Sequence, residues 1–259
     1  MTGRVLITND DGIHSPGLRA LARAAAAEGF DVVVAAPSEE ASGVSAALSA
    51  YTDDGRVTIT RNDFDGIAKY GVAASPAYIV VLATLGTFGP APDLLLSGIN
   101  RGANAGRAIL HSGTCGAAFT AAAYGMPAMA ASLDVLSPLS AERGGNALRV
   151  LDAASDEAHH WATAAQYVRD LLPRLQELRD GFVLNLNVPD RPADDVKGLE
   201  TAVLARFGQV SMAVAESGQD FVRTSVEENR DRADEGTDLA LLTDGYATVS
   251  IVRAVAELT

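Results

Sequence analysis

The sequence predicts an α/β protein with a Rossmann-like, doubly wound and mostly parallel sheet, extended near its C-terminal end by a β-hairpin arm. Its first third alternates apolar runs of strand length with amphipathic stretches of helix length, which is typical of βαβ units. The valine-rich run "DVVVAAP" shows no polar alternation, as expected of a strand that is covered on both faces. With 259 residues and 48% apolar content, the chain is long enough to bury a large core.

The first βαβ unit is marked at each of its boundaries. The run "RVLIT" predicts the first strand, and Ser15 and Pro16 then suit the cap and the first position of a helix. The stretch "GLRALARAAAAE" fills that helix and Gly29 ends it. "DVVVAAP" follows as the second strand.

The pattern changes between residues 45 and 72. Short alternating pieces, "RVTITR" and "GIAKYGV", indicate an antiparallel excursion there. Helices and strands then resume, and the chain reads in order as a helix, a strand, a helix and a strand: "SPAYIVVLATLGTF", "DLLLSGIN", "GTCGAAFTAAAYG" and "AMAASL".

The later part of the chain predicts a helix over residues 155–179, after a polar insert at 134–146 that we interpret as loop. "FVLNLNVP" predicts a further strand, and the pieces "ETAVLARFG" and "DFVRTSVE" suit an extended hairpin. We expect residues 1–190 to form the Rossmann-like core. Residues 191–259, ending in "YATVSIVRAVAEL", would complete it and carry an oligomerisation arm rather than form a separate domain.

Composition excludes several classes of partner. A net charge of −13 argues against binding to a nucleic-acid polymer, because surfaces that neutralise many phosphates are basic. The single cysteine, Cys115, excludes an internal disulfide framework and fits a reducing compartment. No apolar run approaches the ~20 residues of a membrane helix, and the N-terminal strand is too short for a signal peptide. We therefore expect a cytoplasmic protein without a membrane partner.

Chemistry is expected in the loops that follow the strands, since ligands of doubly wound sheets bind where the strand order reverses. "NDDG" places Asp10 and Asp11 side by side after the first strand, and two such carboxylates repel each other unless a cation lies between them. Carboxylates are preferred ligands of Mg²⁺ and Mn²⁺. The simpler alternative is a polar turn that uses Gly12.

Two further loops carry suitable groups. After the second strand, Ser42 offers a hydroxyl oxygen to a metal or a phosphate, and Gly43 permits a close backbone approach. In the longest loop, Asn100 supplies an amide oxygen at a strand end. "HSGT" then opens an alanine-rich helix, so the N–H groups of Gly113 and Thr114 should point outward as a phosphate site. An ordinary helix capped by Ser112 is the alternative.

The motifs "LITNDDGIHSPG", "APSEEASG", "SGINRGANAG" and "HSGT" resemble, in order, those of the SurE family, the survival-protein nucleotidases. "VLNLNVP" and, more loosely, "GTDLALLTDGYATVS" resemble later landmarks of that family. The resemblance implies a phosphatase acting on nucleoside 5′-monophosphates, with 3′-monophosphates as a second substrate class. It also implies one Mg²⁺ or Mn²⁺ per subunit and a homodimer or homotetramer. The implied metal ligands are Asp10, Asp11, Ser42 and Asn100.

Two positions depart from the family pattern. Tyr78 stands where the family usually has an acid, and Thr120 where it usually has a glutamate. Neither is an implied metal ligand, so the departures bear on substrate preference. They leave a non-catalytic or altered-specificity nucleotide-binding protein as the alternative function.

The expected reaction is attack on phosphorus by a water or by a carboxylate of Asp10 or Asp11, and we favour water. Asn9 would orient rather than react. The phosphate would be held by a second set of residues: Ser112, Gly113, Thr114 and Gly43.

The remaining titratable groups are assigned less specific roles. His14 and His111 are candidates for the acid that protonates the leaving group. We expect His159 and His160, placed in a helix beside Trp161, to be structural and Cys115 to be a packing residue.

Three other protein classes fit less well. A receiver domain needs a lysine at a later strand end, and neither Lys69 nor Lys197 is so placed. A dinucleotide-binding enzyme needs G-x-G-x-x-G after the first strand, and a haloacid-dehalogenase-type phosphatase needs D-x-D. "NDDGIHSPG" supplies neither motif.

Overall fold

The computed structural model describes residues 3–137, 155–229, 233–253 and 255–256. Its centre is a nine-stranded sheet built from both halves of the chain. In chain order its strands are β1 (Arg4–Thr8), β2 (Asp31–Pro37), β5 (Ile59–Phe64), β6 (Ile67–Val72), β7 (Leu94–Arg101), β8 (Ala128–Asp134), β9 (Phe182–Pro189), β10 (Leu199–Thr201) and β13 (Ala247–Arg253). The numbers β3 and β4 belong to a small hairpin, Thr52–Asp53 with Arg56–Val57, and β11 and β12 to a larger one, Val210–Ser217 with Val222–Glu228.

The order of strands across the sheet is β10-β13-β9-β8-β7-β1-β2-β6-β5. All neighbouring pairs are parallel except β13 with β9 and β5 with β6. Strand β1 lies between β2 and β7, with Val5 beside Val32 on one side and Leu94 on the other. The strand order therefore reverses beside β1, which places a ligand crevice at its carboxyl end.

Helices cover both faces of this sheet. In the described residues they are α1 (Pro16–Ala27), α2 (Pro76–Thr84), α3 (Gly113–Ala123), α4 (Trp161–Gln176) and the short α5 (Asp238–Thr243). Helices α1 and α4 share one apolar core with the sheet, and α2 and α3 share a second core on the other face. The predicted fold class, a mostly parallel sheet with helices on both faces and a C-terminal hairpin, is confirmed.

Serine caps fix where the first three helices begin. Ser15, Ser75 and Ser112 each accept a hydrogen bond from the amide three residues ahead, which satisfies one of the free N–H groups of a first turn. The cap at Ser15 and the proline that follows it confirm the predicted start of the first helix. These caps place the positive ends of α1 and α3 in the loops that leave β1 and β7.

The middle of the chain differs in detail from the prediction. Residues 45–72 do contain antiparallel pairs, but β6 also joins the central sheet, parallel to β2. The helix expected over 155–179 begins only at Trp161, after a single 3₁₀ turn at Asp156–Ala158. Residues 138–146 of the expected polar insert lie outside the described residues.

The C-terminal hairpin exists, but one of its predicted strands is wrong. Its first strand is "VSMAVAES", Val210–Ser217, rather than "ETAVLARFG". Leu199–Thr201 instead pairs with β13 in the central sheet. Strand β13 itself lies between β10 and β9, so Ala247–Arg253 belongs to the central sheet. The burial of its first four residues explains this position.

A search of the described residues for membrane-spanning helices finds none of sufficient length and apolarity.

Candidate active site

Asp10 is the central residue of the crevice beside β1. Its side chain is only 4% exposed. The amide of Gly113 donates to Oδ2 of Asp10 at 3.0 Å, and the hydroxyl of Thr114 donates to Oδ1. A Cβ on Gly113 would lie 2.8 Å from that Oδ2, so glycine is required for this approach. The N-terminus of α3 therefore packs directly against the carboxylate.

Asn100, at the end of β7, is oriented by its own loop. Its Nδ2 donates to the carbonyl of Gly102 at 2.8 Å, which turns Oδ1 towards Thr114 Oγ1, 3.3 Å away. Thr114 thus touches both Asp10 and Asn100. On the same strand end, the amide of Arg101 donates to Oδ2 of Asp11 at 3.2 Å. These contacts bring three of the four implied metal ligands to one edge of the sheet.

The electrostatics of this edge favour a cation. Burial and then the neighbouring charge of Asp10 raise the pKa of Asp11 to about 7, and the acidic groups of Glu40 and Asp156 add to the effect. Burial also raises the pKa of Asp10, against the opposing hydrogen bonds from Thr114 and Gly113. Among the ion pairs of the described residues, none involves Asp10 or Asp11. Two partly desolvated acids without a basic partner need a positive charge.

The loop that carries Ser42 is anchored at both of its ends. The amide of Ala41 donates to the carbonyl of Asp10 at 2.7 Å, and Ser45 Oγ donates to the carbonyl of Leu110 at 2.6 Å. Ser42 itself is exposed, and its hydroxyl donates to a carboxylate oxygen of Glu40 at 2.7 Å. Ser42 therefore borders the crevice but is turned towards Glu40. Gly43 adopts a φ of +76°.

The predicted phosphate donors are present, but they face a different partner. We expected the amides of Gly113 and Thr114 to point outward, whereas the amide of Gly113 points to Asp10. The hydroxyl of Ser112 caps α3 by accepting from the amide of Cys115 at 3.0 Å. The physical reason is the buried carboxylate of Asp10, whose oxygens need hydrogen-bond donors and lie next to the first turn of α3.

Asn9 is fully buried beside this pair of acids. Its Nδ2 donates to Ser15 Oγ at 2.7 Å and to the carbonyl of Gly12 at 3.2 Å. Its Oδ1 has no hydrogen-bond partner among the described residues. Asn9 thus fixes the turn between β1 and α1, and it retains one unused buried acceptor.

A cluster of asparagines that the sequence reasoning missed holds the loop after Asn100. Oδ1 of Asn187 accepts from the amide of Asn104 at 2.8 Å, and Nδ2 of Asn187 donates to the carbonyl of Asn104 at 3.0 Å. Asn185 donates to the same carbonyl at 2.8 Å. The signal was available in "LNLN", where two asparagines lie at period two on a strand that is otherwise apolar.

The other candidate side chains form no hydrogen bond to Asp10, Asp11 or Asn100 among the described residues. His14 and His111 are exposed. His159 and His160 precede α4 rather than lie within it, and both ring Nδ1 atoms bond to Asp190, at 2.5 and 2.9 Å. Cys115 is buried, and burial raises the pKa of its thiol to about 12, which fits packing rather than nucleophilic attack.

The donor set suits a hard cation. The described residues hold no group of three His, Cys, Asp or Glu side chains that would bind a metal on their own. A metal at this edge would therefore use amide and hydroxyl oxygens beside the carboxylates of Asp10 and Asp11, a set typical of Mg²⁺ or Mn²⁺ with bound water. Of the two positions that depart from the family pattern, Tyr78 is a partly buried residue of α2 that packs against the core shared with α3. The Thr120 hydroxyl donates to the carbonyl of Gly116 within α3.

Comparisons with known proteins point to one family. A family model described as "Survival protein SurE" matches residues 5–212. A "5'-nucleotidase SurE" of Aeromonas hydrophila is 31% identical, over 95% of this chain and 90% of its own length. A "5'/3'-nucleotidase SurE" of Shigella dysenteriae is 32% identical, over 96% and 90%. The crystal structure of a SurE protein from Aquifex aeolicus superposes with a TM-score of 0.71 at 28% identity, covering 98% of this chain and 94% of that one.

Proposed function

The chain belongs to the SurE family, and on that premise we propose that it is a divalent-metal-dependent phosphomonoesterase that hydrolyses nucleoside 5′-monophosphates to nucleoside and phosphate. The observation that carries the proposal is the pair Asp10 and Asp11, which lies against the N-terminus of α3 and has no ion-pair partner among the described residues. The names of the relatives support the nucleotide as substrate, and one of them includes 3′-monophosphates.

Asp10, Asp11 and Asn100 would hold one Mg²⁺ or Mn²⁺, and Ser42 would complete the set after its hydroxyl leaves Glu40. Such an ion offsets the repulsion between the two acids, polarises a phosphoryl oxygen and lowers the pKa of bound water. The shared contact of Thr114 with Asp10 and Asn100 supports their joint role.

The phosphate would lie at the first turn of α3. The amide of Gly113 and Thr114, together with Ser112 and Gly43, would hold the phosphoryl oxygens beside the carboxylate of Asp10. Asn9 would keep the turn after β1 in position. The carboxylates of Asp10 and Asp11 thus lie beside the positive end of α3, and phosphoryl transfer uses groups of both charges.

In the proposed step a water oxygen forms a bond to phosphorus while the bond from phosphorus to the nucleoside oxygen breaks. The departing oxygen takes up a proton, and the products are the nucleoside and inorganic phosphate. His14 and His111 remain candidates for the proton donor, because both are exposed within loops that leave β1 and β7.

The hairpin of β11 and β12 supports an oligomer. Its side chains Met212, Val214 and Val226 are 76%, 65% and 57% exposed, and a two-stranded ribbon has no core of its own to bury them. We propose that residues 191–259 mediate a homodimer or homotetramer while adding β10 and β13 to the sheet of residues 1–190. A cytoplasmic location stays a prediction.

Phosphate release from a panel of nucleoside 5′- and 3′-monophosphates tests the proposal, with Mn²⁺, Mg²⁺ or a chelator present. We expect turnover that chelation abolishes. Asp11→Asn should lose more than about 10²-fold in kcat/KM, because even residues behind the ligands of metal sites cost up to that much. The exposed Asp194→Asn is the control and should retain full activity.

Two results would change the proposal. Turnover that persists in the presence of chelator would exclude a metal-dependent mechanism. Nucleotide binding without turnover would favour the non-catalytic alternative to which Tyr78 and Thr120 point. Acid quenching during turnover separates the two nucleophiles, since a stable acyl-phosphate on Asp10 or Asp11 would exclude direct attack by water.

A further inference from the structure

A second buried carboxylate, outside the candidate site, joins that site to the C-terminal segment. Asp238 opens helix α5 and is fully buried. It lies in "GTDLALLT", after the hairpin and far along the chain from the loops that bear the candidate ligands. None of the ion pairs formed by the described residues includes it. Its partners are main-chain amides.

The two carboxylate oxygens of Asp238 bind different parts of the chain. Oδ2 accepts from the amide of Gly106 at 2.7 Å. Oδ1 accepts from the amide of Ala205 at 2.9 Å and from that of Leu239, in its own helix, at 2.9 Å. Asp238 therefore connects a loop after β7 with the segment after β10.

The two connected segments are in close contact. The amide of Arg107 donates to the carbonyl of Ala205 at 2.9 Å. A Cβ built on Gly106, whose φ is +64°, would lie 1.8 Å from the carbonyl oxygen of Phe207. Gly106 is thus held from two sides, by the carboxylate of Asp238 and by the backbone of residues 205–207.

We call this arrangement the Asp238 clamp. It matters for the candidate site because of where Gly106 lies along the chain. Gly106 lies midway between Asn100 and Ser112, on the one loop that supplies both a candidate metal ligand and the start of α3. Asn187 holds the same loop at Asn104. Gly106 also begins the 3₁₀ turn, Gly106–His111, that delivers the chain to the cap of α3.

We infer that Asp238 is a positioning residue of the candidate site: by fixing Gly106 against Ala205, it sets the placement of Ser112–Thr114 relative to Asn100. The inference rests on the proposed function for its link to catalysis. The clamp itself rests on the three hydrogen bonds to the carboxylate and on the contact with Phe207.

The test is Asp238→Asn, which keeps the shape of the side chain but leaves a single acceptor oxygen. The amide of Gly106 or that of Ala205 must then lose its partner. We expect faster hydrogen exchange in peptides spanning residues 102–112. We also expect about tenfold weaker Mn²⁺ binding in an electron paramagnetic resonance titration, and about a tenfold rise in KM for nucleotide, as one lost buried hydrogen bond predicts.

Two matched variants separate positioning from general destabilisation. Leu172→Ala truncates a buried side chain of α4, in the core that α1 and α4 share and away from residues 102–112. Asp244→Asn removes an exposed charge from the end of the helix that Asp238 opens. Both should keep the exchange of residues 102–112, the Mn²⁺ affinity and KM of the wild type, although Leu172→Ala lowers the melting temperature. Equal losses in Leu172→Ala and Asp238→Asn would overturn the inference.

The readouts also separate this inference from the proposed function. Wild-type values of exchange, Mn²⁺ affinity and KM in Asp238→Asn would refute the role of Asp238 while the function stands. If the wild type binds no Mn²⁺ and cleaves no ester, the proposed function is refuted, and hydrogen exchange of residues 102–112 alone tests whether Asp238 fixes Gly106.

If Asp238→Asn does not fold, the amide protons of Gly106 and Ala205 in the wild type provide the test by nuclear magnetic resonance. Slow exchange and downfield shifts would support the clamp, and exchange within seconds would refute it.

Discussion

Replacing Gly113 by alanine tests the contact between the N-terminus of α3 and Asp10. An alanine Cβ would lie 2.8 Å from both the Cβ and the Oδ2 of Asp10, and 3.1 Å from its Cγ. Non-bonded carbon atoms are comfortable at ~3.5–4.0 Å, so the carboxylate must move by about 0.5–1 Å. A misplacement of about 1 Å at a reacting centre costs on the order of 10²-fold in rate. We therefore expect Gly113→Ala to lower kcat/KM by about 10²-fold.

The assay is Mn²⁺-dependent phosphate release from a nucleoside 5′-monophosphate, measured together with the melting temperature. Crowding at Gly113 also costs about 1–3 kcal/mol of stability. Ala117→Gly is the control, because it weakens the interior of the same helix by about 1 kcal/mol and does not touch Asp10. It should lower the melting temperature and leave kcat/KM unchanged. Activity of Gly113→Ala within twofold of the wild type would refute the reasoning.

Three further predictions concern other parts of the molecule. At pH 8 the thiol of Cys115 should react with a disulfide reagent at least about 10²-fold more slowly in the native chain than in urea, because burial holds its pKa at about 12; equal rates would contradict its packing role. Thr114→Val should lower Mn²⁺ affinity about tenfold while Thr114→Ser retains it, since the hydroxyl links Asp10 and Asn100; calorimetric titration measures the difference, and equal affinities would remove Thr114 from the site. Lysine at both Met212 and Val226, which face each other across the hairpin, should yield monomers by light scattering while unaltered chains associate; a monomeric wild type would refute the proposed oligomer.

The sequence was most informative where local signals and burial coincide. The strand "RVLIT", the cap Ser15 and the following proline fixed the first unit, since each residue has one physical reason to be there. The hairpin strand "VSMAVAES" was missed although Val210, Met212 and Val214 alternate along one face, because the nearby piece "ETAVLARFG" was assigned as the strand instead. The segment of residues 191–259 was expected to complete the core, but its sequence did not show which strand does so; β13, with its buried start, is that strand together with β10.

The candidate site likewise has features that the sequence predicted and features that it did not. Asp10, Asp11 and Asn100 were found because each follows a predicted strand, and carboxyl ends of parallel strands meet at one edge. The direction of the Gly113 amide and the exposure of Ser42 depend on side-chain contacts that no spacing encodes. Asp238 was missed for a related reason: its partners lie 132 and 33 residues away along the chain.

The most direct test is a crystal grown with Mn²⁺ and examined by anomalous scattering. The account predicts one strong peak per chain at the ends of β1 and β7, with oxygens of Asp10, Asp11 and Asn100 at about 2.0–2.4 Å from the ion. An edge without manganese, with both carboxylates turned to solvent in a chain that still hydrolyses nucleotides, would contradict it.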